Sequence, residues 1–307
     1  MRREIEHAVS LHLGQTWGLQ DFTDLNDRAS HPAGLLYGPG LSVFAKLGTA
    51  DDTRPQFESE LRGLAVLRER GSTRTPMAIA GGLVRTPRGT VLLLEDLAEI
   101  PTGKRTPDDW RAIGRSLAAL HRVHGERFGA AQDAGSAQDA GYFGPIWQDN
   151  RPVASNRWAD FYTERRLEPA LRSAVDSGFL PTELGAGVEL LCARLASVCG
   201  PEPRPALLHG DAQQNNFVST RDGAAMVDAC PYFGHPEIDL AHVDYFQSVP
   251  EELFVGYREV LLIDAGFAGR RELWRLYAYL AMITVDGDAA FGRASLTRLD
   301  DALRLYR

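Results

Sequence analysis

The stretch LLHGDAQQNNF, residues 207–217, constrains this chain most. It sets Asp211 and Asn216 five residues apart where an apolar strand gives way to a loop, then runs through NNFVSTRDGAAMVD to Asp228. Two strand-like runs flanking an Asp-Gly pair predict a two-residue β-hairpin. With the loop at Asp222 and Gly223, Phe217 stands opposite Asp228 and Asn216 opposite Ala229, which brings the Asn216 amide beside the Asp228 carboxylate. Two hard oxygen donors suit Mg2+, an ion that keeps several waters and takes its remaining ligands from substrate phosphates. Asp211, on the loop just before, reaches the same space, where a carboxylate orients a hydroxyl and accepts its proton. These are the parts of a phosphoryl-transfer site.

Such a site needs a core behind it, and 307 residues with 44% hydrophobic content bury enough surface for one large or two moderate domains. The 33 basic and 41 acidic side chains leave a net charge of -8 without any run of Lys or Arg, so no nucleic-acid partner is expected. The opening MRREIEHAVSLHLG has no continuous apolar segment, and nothing later approaches the roughly 18 uncharged apolar residues of a membrane span. No membrane partner is expected, and a cytoplasmic location is. Cys192 and Cys199 share a helical face with Leu191, Leu195 and Val198, the pattern of small buried apolar residues rather than of a disulfide or metal site.

Along the chain, residues 3–13 read as a short amphipathic helix. GLLYGP and LSVFAKLG read as paired strands that place Lys46 within the second. PQFESELRGLAVLRERG aligns Phe57, Glu60, Leu61, Leu64 and Leu67 on one helical stripe and stops at Gly71. GGLVRTPRGTVLLLEDL reads as two antiparallel strands joined at TPRG. From Pro107 the periods become helical, as in DDWRAIGRSLAALHRVH and RWADFYTERRLEPALRSAV. QDAGSAQDAG at 132–141 repeats QDAG at a six-residue interval and reads as a duplicated loop insertion.

The spacing His209-Gly210-Asp211, Asn216, Asp228 resembles the catalytic and metal-binding loops of the protein-kinase-like superfamily. The resemblance implies Asp211 as catalytic base and Asn216 and Asp228 as Mg2+ ligands, with His209 and Asp239 supporting the loop. Lys46 resembles the lysine that such kinases aim at the ATP phosphates, and Glu60, or Glu58 if the helix is rotated, its ion-pair partner. The strand ending at Glu95, Asp96 and Leu97 is similar to the inter-lobe hinge whose backbone binds adenine. No G-x-G-x-x-G precedes Lys46 in NDRASHPAGLLYG, so Ser30 and His31 are the candidates to cover the phosphates.

Further segments narrow the resemblance. ERFGAAQ, GYFGPIWQDNRP, RWADFYTERRLEPAL and VDACPYFGHPEIDLAHVDYF resemble fructosamine and ketosamine 3-kinases over most of residues 44–247. By that pattern Gln148, Asn150 and Trp158 are acceptor-side residues. Trp158, on a helix with Phe161 and Tyr162, also fits a core position, and Cys230 a passive small hydrophobe. Gln213 stands where the family has tryptophan, exchanging a flat, cation-attracting face for hydrogen bonds. The expectation is an α+β, bilobal protein-kinase-like fold, with a nucleotide-binding lobe over residues 1–95, a hinge near 95–98 and a mostly helical catalytic lobe over 96–307. It would use ATP and Mg2+ to phosphorylate a sugar amine or amino sugar, free or on glycated protein lysines. An aminoglycoside phosphotransferase and a non-catalytic nucleotide-binding pseudokinase stand as the alternatives.

Overall fold

The structure, a computed structural model, describes residues 1–26, 31–49, 53–131 and 140–306. Ser30 and most of the QDAG repeat lie outside them; the second copy's Ala140 and Gly141 begin a strand.

Helix α1 (Arg2–Leu13) leads into a five-stranded antiparallel sheet of β1 (Asp21–Asp24), β2 (Ala33–Gly38), β3 (Leu41–Gly48), β4 (Ala78–Thr86) and β5 (Gly89–Glu95), in the order β1-β2-β3-β5-β4. Helix α2 (Thr53–Gly71) connects β3 to β4. Strand alternation divides the sheet between two cores. Val43, Val91 and Leu93 join Ile5, Val9 and Trp17 under α1, whereas Leu92 and Leu94 join Phe57, Leu64 and Leu67 of α2 in the main core. The uninterrupted apolar run VLLL of β5 is the signature of a strand buried on both faces.

Beyond Glu95 the chain becomes mostly helical. Helix α3 (Pro107–His121) begins with a capping box between Thr106 and Asp109 and Pro107 in its first turn. Short strands β6 (Gly129–Ala130), β7 (Ala140–Phe143) and β8 (Ile146–Asp149) precede α4 (Trp158–Tyr162) and α5 (Glu168–Asp176). The two helices are joined through a wide π turn at Thr163–Leu167, just ahead of Pro169, whose missing N–H a regular helix would have to absorb. The run GVELLCARLASV forms two helices, α6 (Thr182–Ala193) and α7 (Leu195–Val198), broken at Arg194; Cys199 is buried, Cys192 half-buried, and both are free thiols. Strand β9 (Ala206–Leu207), hairpin β10 (Phe217–Thr220) with β11 (Gly223–Met226), and β12 (Tyr232–Gly234) frame the segment from Asp211 to Asp228; β12 lies between β6 and β9. Helices α8 (Glu237–His242), α9 (Glu251–Arg258), α10 (Phe267–Asp286) and α11 (Ala290–Leu305) complete the fold.

The hairpin register differs from the sequence expectation. Thr220 pairs with Gly223 and Phe217 with Met226, so Arg221 and Asp222 form the turn. The Thr220 hydroxyl decides this: Oγ1 accepts the Asp222 N–H at 3.1 Å and donates to the Gly223 carbonyl at 2.9 Å. Asn216 therefore lies beside Val227, whose N–H donates to the Asn216 carbonyl at 3.0 Å, and Asp228 sits two residues beyond the ladder's last pair. Among the described residues no helix is long and apolar enough to cross a membrane.

Candidate active site

Lys46 shares the cleft-facing side of β3 with Phe44 and is buried; its Nζ lies 3.0 and 3.1 Å from the two Glu60 oxygens and 2.5 Å from Asp228 Oδ1. Glu58, the alternative on α2, pairs with Arg54 on the surface. Burial opposes the charge on Lys46, but the Asp228 and Glu60 carboxylates overcome it and raise its pKa. Burial likewise opposes ionisation of Asp228, yet Lys46 holds its carboxyl below the usual range; Glu60, more dominated by burial, is pushed up to about 8. Asp228 adopts φ 53, a left-handed conformation that costs a non-glycine residue energy and recurs at functional positions.

The loop carrying Asp211 is held through its backbone amides and by the side chains of His209 and Asn216. Asp239, fully buried on α8, accepts the N–H of His209 at 2.7 Å and of Gly210 at 3.2 Å. The His209 ring accepts the Asp211 N–H through Nδ1 at 3.3 Å, so its Nε2 donates to the Val227 carbonyl at 3.0 Å; burial keeps this ring's pKa low. Asp239 in turn is bonded to His121 Nε2 at 3.0 Å, whose Nδ1 meets the Tyr257 hydroxyl at 2.8 Å. Gly210 has φ +85, and a Cβ there would stand 1.9 Å from the Cys230 carbonyl oxygen. Burial, and the like charge of Asp228 against the opposing bond from Gln213, pushes the Asp211 carboxyl up to about 7. Gln213 Nε2 donates to its oxygens at 3.3 and 3.5 Å.

Asn216 Nδ2 donates to the Asp211 carbonyl at 2.8 Å, which fixes the side-chain amide and leaves its Oδ1 without a protein donor among the described residues. A free amide oxygen beside a half-exposed carboxylate fits a cation that keeps most of its waters.

Two cavities meet at these residues. One, of about 460 Å³, is lined by Leu35, Phe44, Leu94, Glu95, Leu97 and Val218 and ends at Asn216 and Asp228. The Glu95 side chain braces this edge by bonding Arg74 at 2.7 Å and the Met77 N–H at 3.1 Å. The other, of about 680 Å³, contains Lys46, Glu60, Asp211, Gln213, Asn216 and Asp228 together with His31, Tyr142, Phe246, Asp286 and Phe291. His31 Nε2 is 3.3 Å from Gln56 Oε1, and its ring packs edge-on against Phe57.

Three residues expected on the acceptor side are not at these cavities. Trp158 is fully buried, stacked with Phe161 and Tyr162 and edge-on to Trp274. Gln148 Oε1 accepts the Cys230 thiol at 3.1 Å, and Asn150 Oδ1 accepts from Arg166 at 2.6 Å. Arg166 is itself buried without a carboxylate partner among the described residues, so the Asn150 amide turns inward to satisfy it. Burial pushes the Cys230 thiol up to about 12, leaving it a passive, protonated neighbour. Asp286 and Phe291 lie in no motif that would have marked them, and Tyr142 and Phe246 fall inside family-like segments whose pattern does not single them out, because the four come from a hairpin, a loop and two helix ends far apart in the chain.

An antiparallel sheet with one lysine-bearing strand, set over a mostly helical part whose loop and hairpin carry an Asp–Asn–Asp cluster, defines a phosphotransferase of the protein-kinase-like class. A family model for fructosamine kinase matches residues 1–302, and the chain belongs to that family. A probable ketoamine kinase of Vibrio cholerae is 30% identical over 225 residues, 73% of either chain. A solved Thermobifida fusca structure described as a fructosamine-3-kinase superposes with a TM-score of 0.78 at 27% identity, covering 98% of both chains. The fold extends to aminoglycoside phosphotransferase APH(4)-Ia, crystallised with ADP and hygromycin B, at a TM-score of 0.64, 14% identity and 98% coverage of both chains.

Proposed function

We propose that this kinase transfers the γ-phosphoryl group of ATP to a hydroxyl of a ketoamine, a fructosamine or ribulosamine, in the presence of Mg2+. The observation that carries this is the meeting of Asp211, Asn216, Asp228 and the Lys46–Glu60 pair where the two cavities join. The smaller cavity takes adenine against Leu35, Phe44 and Leu94, with backbone contacts from the Glu95–Leu97 segment. Lys46, held extended by Glu60, meets the phosphates, and His31 covers them from the strand side. Asn216 Oδ1 and the Asp228 carboxylate would hold Mg2+, which supplies neutralisation of the charge that builds between the phosphates.

In the larger cavity Asp211 orients the acceptor hydroxyl and takes its proton. The hydroxyl oxygen then forms a bond to the γ-phosphorus, while the bond from that phosphorus to the β–γ bridging oxygen breaks and its electron pair leaves with ADP. A carboxyl raised to about 7 is matched to that task near neutral pH. The acceptor is a free small molecule or a glycated protein lysine, met in the cytoplasm. Gln213 in place of tryptophan favours a second acceptor class, aminoglycosides, whose hydroxyls accept hydrogen bonds from an amide.

Mass spectrometry of fructosyl-lysine, ribulosyl-lysine and an aminoglycoside panel after incubation with Mg2+ and ATP tests both readings. The expected result is one added phosphoryl group on the ketoamines, lost in Asp211→Asn. Transfer to aminoglycosides alone would replace the acceptor assignment, and transfer unaltered in Asp211→Asn would remove Asp211 as base.

A further inference from the structure

We infer that Asp286, with Phe246 and Phe291, forms a subsite for a protonated amine of the acceptor; the inference rests on the proposed kinase reading and names what the acceptor presents opposite its reacting hydroxyl. Asp286 is the last residue of α10 and lines the cavity that holds Asp211 and Gln213. Its Oδ2 accepts the backbone N–H of Phe291 at 2.9 Å and of Gly292 at 3.0 Å, which fixes the carboxylate against the first turn of α11. Its Oδ1 has no hydrogen-bond partner among the described residues. The turn between the helices is tight: a Cβ on Gly292 would stand 2.0 Å from the Gly287 carbonyl oxygen, so the carboxylate and the Phe291 backbone are set relative to each other by the fold.

Phe291 is 58% exposed although it borders the cavity, and it meets Phe246 edge-on at 5.9 Å and 85°. Phe246 is braced from behind by Tyr245 at 4.6 Å and 88°. A phenyl ring exposed on a monomer's surface contributes nothing to the core, but beside a fixed carboxylate it offers a cation a π face within reach of a charge-assisted hydrogen bond. Among the described residues lining this cavity, the Lys46 ammonium is already paired with Glu60 and Asp228, so Asp286 has no protein ammonium or guanidinium to compete for it there. Carboxylate and aromatic face together recognise an alkylammonium, which a free ketoamine, a glycated lysine side chain and an aminoglycoside all carry.

Steady-state transfer to Nα-acetyl-fructosyl-lysine and to its form acetylated at the ketoamine nitrogen as well, which carries no ammonium, tests the subsite. The wild type is expected to favour the cation by about 30-fold in kcat/KM, and Asp286→Asn to bring the two within about 3-fold by raising KM for the cation while kcat holds. Asparagine keeps one oxygen for the α11 amides. Phe291→Leu leaves the cap untouched and should raise KM for the cation by about 5-fold, so the result does not hang on one variant's folding. A glycated peptide run in parallel separates the two sources: a kcat/KM close to that of fructosyl-lysine indicates a lysine on a protein, a loss indicates the free compound, and either with Asp286 dependence supports the subsite. Transfer to aminoglycosides alone, with that same dependence, supports the subsite and overturns the ketoamine reading. Ketoamine transfer in which Asp286→Asn lowers both acceptors equally, or a wild type that does not discriminate between them, overturns the subsite and keeps the reading; no transfer to any acceptor overturns both.

Discussion

Asp228 carries two duties, one electrostatic and one conformational, and they give opposite expectations for substitution. Its carboxylate faces Lys46 and the proposed metal position, so Asp228→Asn is expected to cost turnover at least about 100-fold. Asparagine tolerates the left-handed backbone at φ 53, so the melting temperature should stay within a few degrees, and calorimetry beside the transfer assay checks both. His235 offers a pH test outside the proposed metal position. Burial, then the nearby Arg270, pushes its ring down to about 3, below the unfolded value near 6.5. Between those values the unfolded chain binds a proton that the native state refuses, so its contribution to stability is present above pH 6.5 and is lost as the pH falls. His235→Gln should therefore close its stability gap to the wild type by about 2 kcal/mol between pH 7.5 and 5, read from urea unfolding at both. Lys46, Glu60, Asp211 and Asn216 were legible in the sequence because their chemistry is concentrated in short motifs of known spacing. Gln148, Asn150 and Trp158 were misplaced because a motif does not show whether a polar group finds its partner in the interior, as Asn150 does with Arg166.

Among the elements, the hairpin shows how local chemistry sets a boundary that pattern alone misses. Asp-Gly suggested the turn, but the Thr220 hydroxyl draws it one residue earlier, and the register shifts with it. The broken helix at Arg194 and the π turn ahead of Pro169 were equally invisible, since both keep the apolar period of a continuous helix. Helices α3 and α9 cross at glycines on both sides. A Cβ on Gly114 would stand 1.9 Å from the Leu253 carbonyl oxygen, and one on Gly256 would stand 2.2 Å from that of Arg111. The same close approach brings His121 to Tyr257, and through His121 it reaches Asp239 and the catalytic loop. Gly114→Ala is expected to destabilise by about 2–3 kcal/mol, measured by urea unfolding, and to lower kcat more than the affinity for nucleotide. Gly63 plays a similar part on α2, where a Cβ would lie 2.4 Å from the Ala229 carbonyl oxygen, directly after Asp228.

In the whole molecule, sheet and helices are continuous through Glu95–Leu97 and are tied again by Lys46 of β3 and Asp228 of the segment after the hairpin. The architecture was legible because the change from strand to helix periods and the family resemblance agree, while the acceptor wall depends on tertiary approach of distant segments. The bond between Lys46 and Asp228 makes the protein its own understudy: without ligands, an ammonium plays opposite the carboxylate assigned to the metal. A chelator should then leave the thermal midpoint of the free protein unchanged, whereas with ATP present its addition should lower the midpoint by several degrees, a contrast that differential scanning fluorimetry reads directly. Arrival of the loaded nucleotide becomes an exchange of partners rather than the filling of a gap. On the proposed reading Lys46 turns to the phosphates as Asp228 is released, and because the Lys46 side of that pair is buried, added salt should weaken the final complex more than it loosens this first embrace.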